Sequence, residues 1–219
     1  MTLGDIFAND ARYADYVGIG QEPRMTGRKV RLFVCACCRR GWDRLNTASR
    51  TAIEVAERYA DGQASADDVL ASLYIQDKTG GIGVTATQWG LILDSDELTR
   101  MIPNFFPLIV QTLTSSESQF LDTTKWGVEY PALVDLFFDI FRSRFPQPIR
   151  IDPDWQRTTH PVRKLAESIY ESRSFADLPI LADALEEAGC TDQAMLEHCR
   201  GNGAHARGCW VVDHLLGRG

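Results

Sequence analysis

At 219 residues, 44% of them hydrophobic, the chain is long enough to bury a core without disulfide or metal staples, and too apolar to be disordered as a whole. Its net charge of −7 argues against nucleic-acid binding spread over the whole surface. The longest apolar-rich stretch, 101–113, is broken by Pro103, Asn104 and Pro107 and falls short of the roughly 18 unbroken apolar residues of a membrane helix.

The first fifteen residues are acidic and polar, without the basic-then-apolar layout of a secretory signal, so a cytoplasmic location is expected. Thiols in that compartment are normally reduced, and the six cysteines are expected to be free.

Residues 1–27 read as a short helix and a loop. From Arg28 to about Leu45 the pattern is helical, with Val30, Phe33, Val34, Cys37 and Cys38 on one arc at about 100° per residue. Residues 24–50 hold eight basic side chains against Asp43 alone, so a basic helix sits on an acidic protein. Arg28, Arg31, Arg39 and Arg40 are the partner- or anion-binding candidates of this helix. The alternative is internal: these arginines dock on acidic neighbours.

A second helix is expected over 48–60, with Asn46 or Thr47 as its N-cap and Asp61-Gly62 as its stop. Ser65, followed by Asp67 and Asp68, starts a third. Gly80, Gly81 and Gly83 then break the pattern. They do not form a phosphate loop, since no Gly-Lys-Ser/Thr follows. Helices are expected to begin near Asp94, Pro103 and Pro131, the prolines suiting first-turn positions. The stretch 133–141 is apolar around most of its circumference, as in a central core or interface helix.

Pro146, Pro148 and Pro153 mark an extended stretch, with 149–151 as a short strand candidate and 143–155 as a candidate seam between subdomains of one 1–219 helical domain. Helices are expected over 161–171, 177–188, 192–199 and 205–216. The fold class is therefore all-α, an irregular bundle of about eight or nine helices with little or no sheet.

Two blocks look familiar. One runs Arg31-Leu-Phe-Val-Cys-Ala-Cys-Cys-Arg-Arg40 and continues through Ala52-Ile-Glu-Val-Ala-Glu-Arg-Tyr-Ala-Asp-Gly62. The other runs Leu178-Pro-Ile-Leu-Ala-Asp-Ala-Leu-Glu-Glu-Ala-Gly-Cys190, then His198-Cys-Arg-Gly201 and Arg207-Gly-Cys-Trp-Val-Val-Asp213. With the Asp152-Pro-Asp-Trp155 turn, they resemble an uncharacterised family of bacterial proteins abundant as paralogues in planctomycetes, over 29–62 and 145–217. The middle, about 78–130, departs from the alanine-rich helical region usual in that family. The resemblance implies an identity and transfers no catalytic residues.

Three constellations could carry chemistry. Cys190, His198, Cys199, His205, Cys209 and His214 fall close together, and thiolate and imidazole are preferred zinc ligands. Cys199, His205, Cys209 and Cys190 are the metal candidates. They lack a Cys-x-x-Cys pair, and packing in the core is the competing reading. Second, Cys35 lies four residues from both Arg31 and Arg39, and neighbouring cations favour thiolate; it is the candidate reactive thiol. Third, Arg200 and Arg207 flank a Gly-Asn-Gly turn ahead of a helix, an arrangement suited to an anion or to a plain turn.

There is no Gly-x-Ser-x-Gly elbow and no His-Glu-x-x-His motif. The expected role is a noncatalytic protein-interaction or adaptor module. A metal- or thiol-dependent enzyme using the C-terminal cluster or Cys35 is the alternative, and nucleic-acid binding through 28–44 a third.

Overall fold

The computed structural model describes residues 26–79, 123–141 and 151–218. These form eight α-helices and three short 3-10 turns, with no strand among the described residues, so the chain is all-α. The helices expected near Asp94 and Pro103, Ile149 and the glycine run at 80–83 lie outside the described residues, and Ile151 belongs to no strand.

Helix α1 (Gly27–Arg39) is capped by Thr26, whose hydroxyl accepts from the Lys29 N–H, and it buries Val30, Phe33, Val34 and Cys37. It is shorter than the sequence suggests; a 3-10 turn at Trp42–Arg44 follows. Helix α2 (Thr47–Ala60) starts at Asn46, whose Oδ1 accepts from Ser49 N at 2.8 Å, and stops at Asp61 with Gly62 at φ +72°. Helix α3 (Ala66–Thr79) opens on a reciprocal cap. Asp68 Oδ2 accepts from Ser65 N at 2.8 Å while Ser65 Oγ accepts from Asp68 N at 3.2 Å.

Helix α4 (Thr123–Phe141) corrects one expectation, because Pro131 lies inside it rather than at its start. An interior proline removes one helical hydrogen bond and costs about 3 kcal/mol or more. Burial of Leu133, Val134, Leu136, Phe137, Ile140 and Phe141 outweighs that, at about 1.5–3 kcal/mol for each large side chain, and Pro131 itself is exposed. Phe33 of α1 meets Phe137 and Phe141 edge-on, with ring centroids 5.8 and 5.7 Å away.

The second half is built from α5 (Pro161–Ser172), α6 (Leu178–Glu187), α7 (Gln193–Arg200) and α8 (Trp210–Leu216). Ile169, Leu181, Leu185, Leu196, Trp210 and Leu215 are among the residues of their shared core. Helix α8 packs on α5, α7 and α4, and α4 also packs on α1, so α4 sits between the two halves.

A buried ion-pair cluster ties the halves together. Arg28 of α1 donates to Asp213 of α8 at 2.6 Å and to Asp61 at 2.9 Å, and the Tyr170 hydroxyl of α5 donates to Asp61 at 2.7 Å. Lys29 Nζ donates to the Ile140 carbonyl of α4 at 2.9 Å. The basic helix therefore turns part of its charge inward.

Helix α8 starts at Trp210, five residues later than its periodicity suggests. Gly208 holds φ +96°, and a Cβ there would stand 3.3 Å from Leu32 and 3.4 Å from Ile140. The 201–209 segment is consequently an irregular turn pressed against α1 and α4, and it carries two candidate ligands, His205 and Cys209. No helix among the described residues is long and apolar enough to cross a membrane.

Candidate metal centre

Asp139 is an acid in the apolar stretch of α4, with 2% of its surface exposed. A buried carboxylate needs several donors to hold its charge. It has them: His205 Nδ1 lies 2.7 Å and His198 Nε2 3.1 Å from Oδ1, while the Ala206 N–H donates to Oδ2 at 2.9 Å. Burial pushes the Asp139 pKa up, but the hydrogen bonds from His198 and His205 outweigh it and hold the group below its ordinary value. Burial opposes charge on His205 as well, yet its bond to Asp139 and the carboxylate's charge raise its pKa.

Cys209 completes the cluster. Its Sγ is 3.3 Å from His198 Nε2 and fully buried. Burial and then the Asp139 charge push this thiol well above its ordinary pKa, so without a cation it stays protonated. Asp139, His198, His205 and Cys209 each offer a ligand atom, and all four atoms lie within 4.8 Å of one another. In a tetrahedral zinc site, bonds of about 2.0–2.3 Å separate the ligand atoms by roughly 3.3–3.7 Å. The His198 contacts with Asp139 and Cys209, at 3.1 and 3.3 Å, lie within about 0.2 Å of that range, the 2.7 Å His205–Asp139 contact is about 0.6 Å short of it, and the remaining pairs lie within 4.8 Å, so a metal would require side-chain shifts of up to about 1 Å. His205 Nε2 is buried without a hydrogen-bond partner, an orphan atom on the ring that would supply Nδ1.

One contact opposes a metal. The Trp210 indole, which can only donate, gives its N–H to His198 Nδ1 at 3.1 Å. In the neutral ring this places the proton on Nε2, which faces Asp139 and Cys209. A metal at Nε2 must displace that proton, leaving a ring N–H opposite an indole N–H. The lost bond and unsatisfied donor cost about 1–3 kcal/mol. That cost is small beside the apparent binding free energy of about 10–16 kcal/mol of structural zinc in zinc-finger peptides, so the contact does not by itself rule out a metal.

Among the sequence candidates, His205 and Cys209 come together, with the neighbouring His198. Cys199 is buried on α7 but is not one of the four ligands, and burial pushes its thiol up to about 12. Cys190 packs beside Met195, its Sγ 4.0 Å from the thioether sulfur. Asp139 was missed. It lies 59 positions from His198 in sequence, and its only signal there is an acid in the apolar 133–141 stretch, a signal it shares with Asp135.

Cys35 corrects the expectation of a reactive thiol. It is buried against the Ile53 carbonyl at 3.9 Å, and burial followed by the Glu57 charge drives its pKa well above normal. Arg39, expected to stabilise its thiolate, instead grips Glu57 in a two-pronged bond at 2.7 and 2.8 Å. Arg31 lies over the Tyr59 ring, its guanidinium carbon 5.1 Å from the centroid. Arg200 pairs at the surface with Asp183 and Glu186, and Arg207 donates to the Tyr170 and Glu171 carbonyls.

No known family matches the chain, and no curated protein or solved structure is similar to it.

Proposed function

We propose that this chain is a noncatalytic helical binding module stapled by one buried zinc ion, held by Asp139, His198, His205 and Cys209. The observation that carries the reading is the convergence, within 4.8 Å, of four ligand atoms from α4, α7 and the 201–209 turn. Nitrogen, sulfur and oxygen donors together suit zinc; the thiolate disfavours magnesium and calcium. Four protein ligands close a tetrahedral shell and leave no position for substrate, which is the pattern of structural rather than catalytic zinc. Three of the four lie in the C-terminal block through which the chain resembles the planctomycete-type family.

The ion would pin the irregular turn to α4 and so join the two halves of the fold. A thiol-dependent enzyme draws no support from Cys35, and nucleic-acid binding through 28–44 is disfavoured by the inward pairing of Arg28 and Arg39. The test is elemental analysis of the purified chain. One zinc per chain is expected, lost in His205→Ala and Cys209→Ser but kept in Cys190→Ser. Zinc content indifferent to His205 and Cys209 would overturn the assignment.

A further inference from the structure

A second feature lies on the other side of His205. A cavity of about 360 Å³ opens between α1, α4 and the 204–207 backbone. At roughly 30 Å³ per water it holds about a dozen waters, the low end of the size range of small-molecule sites. Among the described residues its wall is lined by four arginines, Arg39, Arg40, Arg173 and Arg207, with Glu57 the one acid. Leu32, Leu136 and Phe175 provide an apolar side.

Glu57 is shared. Arg39 and Arg173 both fork onto it, so its one negative charge is spread over two cations. Arg39 spends Nε and Nη2 on this bond, and Arg207 spends Nε and Nη2 on two carbonyls, which leaves Nη1 of each to donate elsewhere. The cations feel one another: burial lowers the Arg173 pKa, and Arg39 and Arg207 lower it further against the opposing pull of Glu57. Planar, multidonor guanidinium groups with spare N–H bonds match phosphoryl and carboxylate oxygens.

We propose that this cavity binds a small polyanion, a phosphorylated or polycarboxylate compound, through Arg39, Arg40, Arg173 and Arg207. Arg40 has further contacts of its own; with it set aside, Arg39, Arg173 and Arg207 still exceed Glu57 by two charges among the described residues, which calls for at least two negative charges, and a half-open cavity of about 360 Å³ suits a ligand of metabolite size. The apolar wall suits a short carbon skeleton between the charged groups. This assignment goes beyond the zinc centre: Arg39 and Arg173 are held by Glu57 and Arg207 by backbone carbonyls, although Arg207 shares the 201–209 turn with two of the proposed zinc ligands.

The test is calorimetric titration of the full chain, as purified, with pyrophosphate and separately with citrate in 150 mM salt (about one Debye length of 8 Å). Saturable one-to-one binding of at least one anion is expected. It should weaken about tenfold or more in Arg207→Gln and in Arg40→Gln, and stay within about twofold in Arg200→Gln. Arg40 is exposed, so its variant reports on binding even if Arg207→Gln folds poorly. Preference for pyrophosphate or citrate separates phosphorylated from polycarboxylate ligands. Binding of neither anion, or equal weakening by Arg200→Gln, would overturn the proposal.

Discussion

Replacing Trp210 by Phe should tighten zinc binding while weakening the metal-free fold. In the neutral ring the indole N–H places the proton of His198 on Nε2, where the proposed metal would sit. Phe keeps the aromatic packing beside the His198 ring, whose centroid is 4.9 Å from that of the indole, but it cannot donate. In the wild type, zinc binding sacrifices the indole–imidazole bond at about 1–3 kcal/mol. In the variant that penalty is absent, and affinity should rise by about 5- to 150-fold, since about 1.4 kcal/mol is a factor of ten. The metal-free variant loses the same hydrogen bond and some buried volume, for a destabilisation of about 1–3 kcal/mol. Competition against a chromophoric chelator measures the first effect, and urea unfolding in excess chelator measures the second. Weaker or unchanged zinc affinity in a folded Trp210→Phe protein would refute the tautomer argument and, with it, His198 Nε2 as a ligand.

The thiols give a pH-linked prediction. A raised thiol pKa means the protonated, unreactive form persists above neutrality; Cys38 is pushed up to about 12 by burial, and Cys35, Cys37 and Cys209 are driven well above normal. A thiol-specific chromogenic disulfide at pH 8 should therefore modify the native protein slowly and all six cysteines quickly in denaturant, and rapid native labelling of Cys35 would contradict this. Gly208→Ala should cost about 1–3 kcal/mol, from a φ of +96° and a Cβ crowded by Leu32 and Ile140, and should also weaken zinc binding by displacing the turn; an unchanged urea midpoint would sink that account. Arg28→Met leaves the buried Asp61 and Asp213 carboxylates without their main partner and should destabilise by about 3–5 kcal/mol in the same assay, whereas a change below about 1 kcal/mol would mean Arg28 is a surface residue in effect.

Local signals were legible where short-range chemistry decides the structure. Asn46, Ser65 with Asp68, and Asp61-Gly62 mark helix ends because capping groups lie within three or four residues of the atoms they satisfy. Pro131 misled because a proline reads as a helix start, and only the burial of 133–141 against α1 and α8 explains its place inside α4. The late start of α8 was hidden because the tight packing of Gly208 on Leu32 and Ile140 is long-range. The site was half legible for the same reason. His205 and Cys209 are close in sequence, but Asp139 comes from another helix, and Cys199, the nearest thiol by spacing, turns out to be only a neighbour of a ligand. The arginines around Cys35 looked like activators until Glu57, eighteen positions from Arg39, took up that charge.

Cobalt(II) titration tests the zinc centre most directly, because cobalt reports its own ligand geometry. The account predicts visible absorption of a tetrahedral ion together with a near-ultraviolet thiolate-to-cobalt band, saturating at one equivalent and displaced by zinc. The thiolate band should vanish in Cys209→Ser and survive in Cys199→Ser. Cobalt that stays in its octahedral aqueous form, or a thiolate band that Cys209→Ser leaves intact, would contradict the central claim.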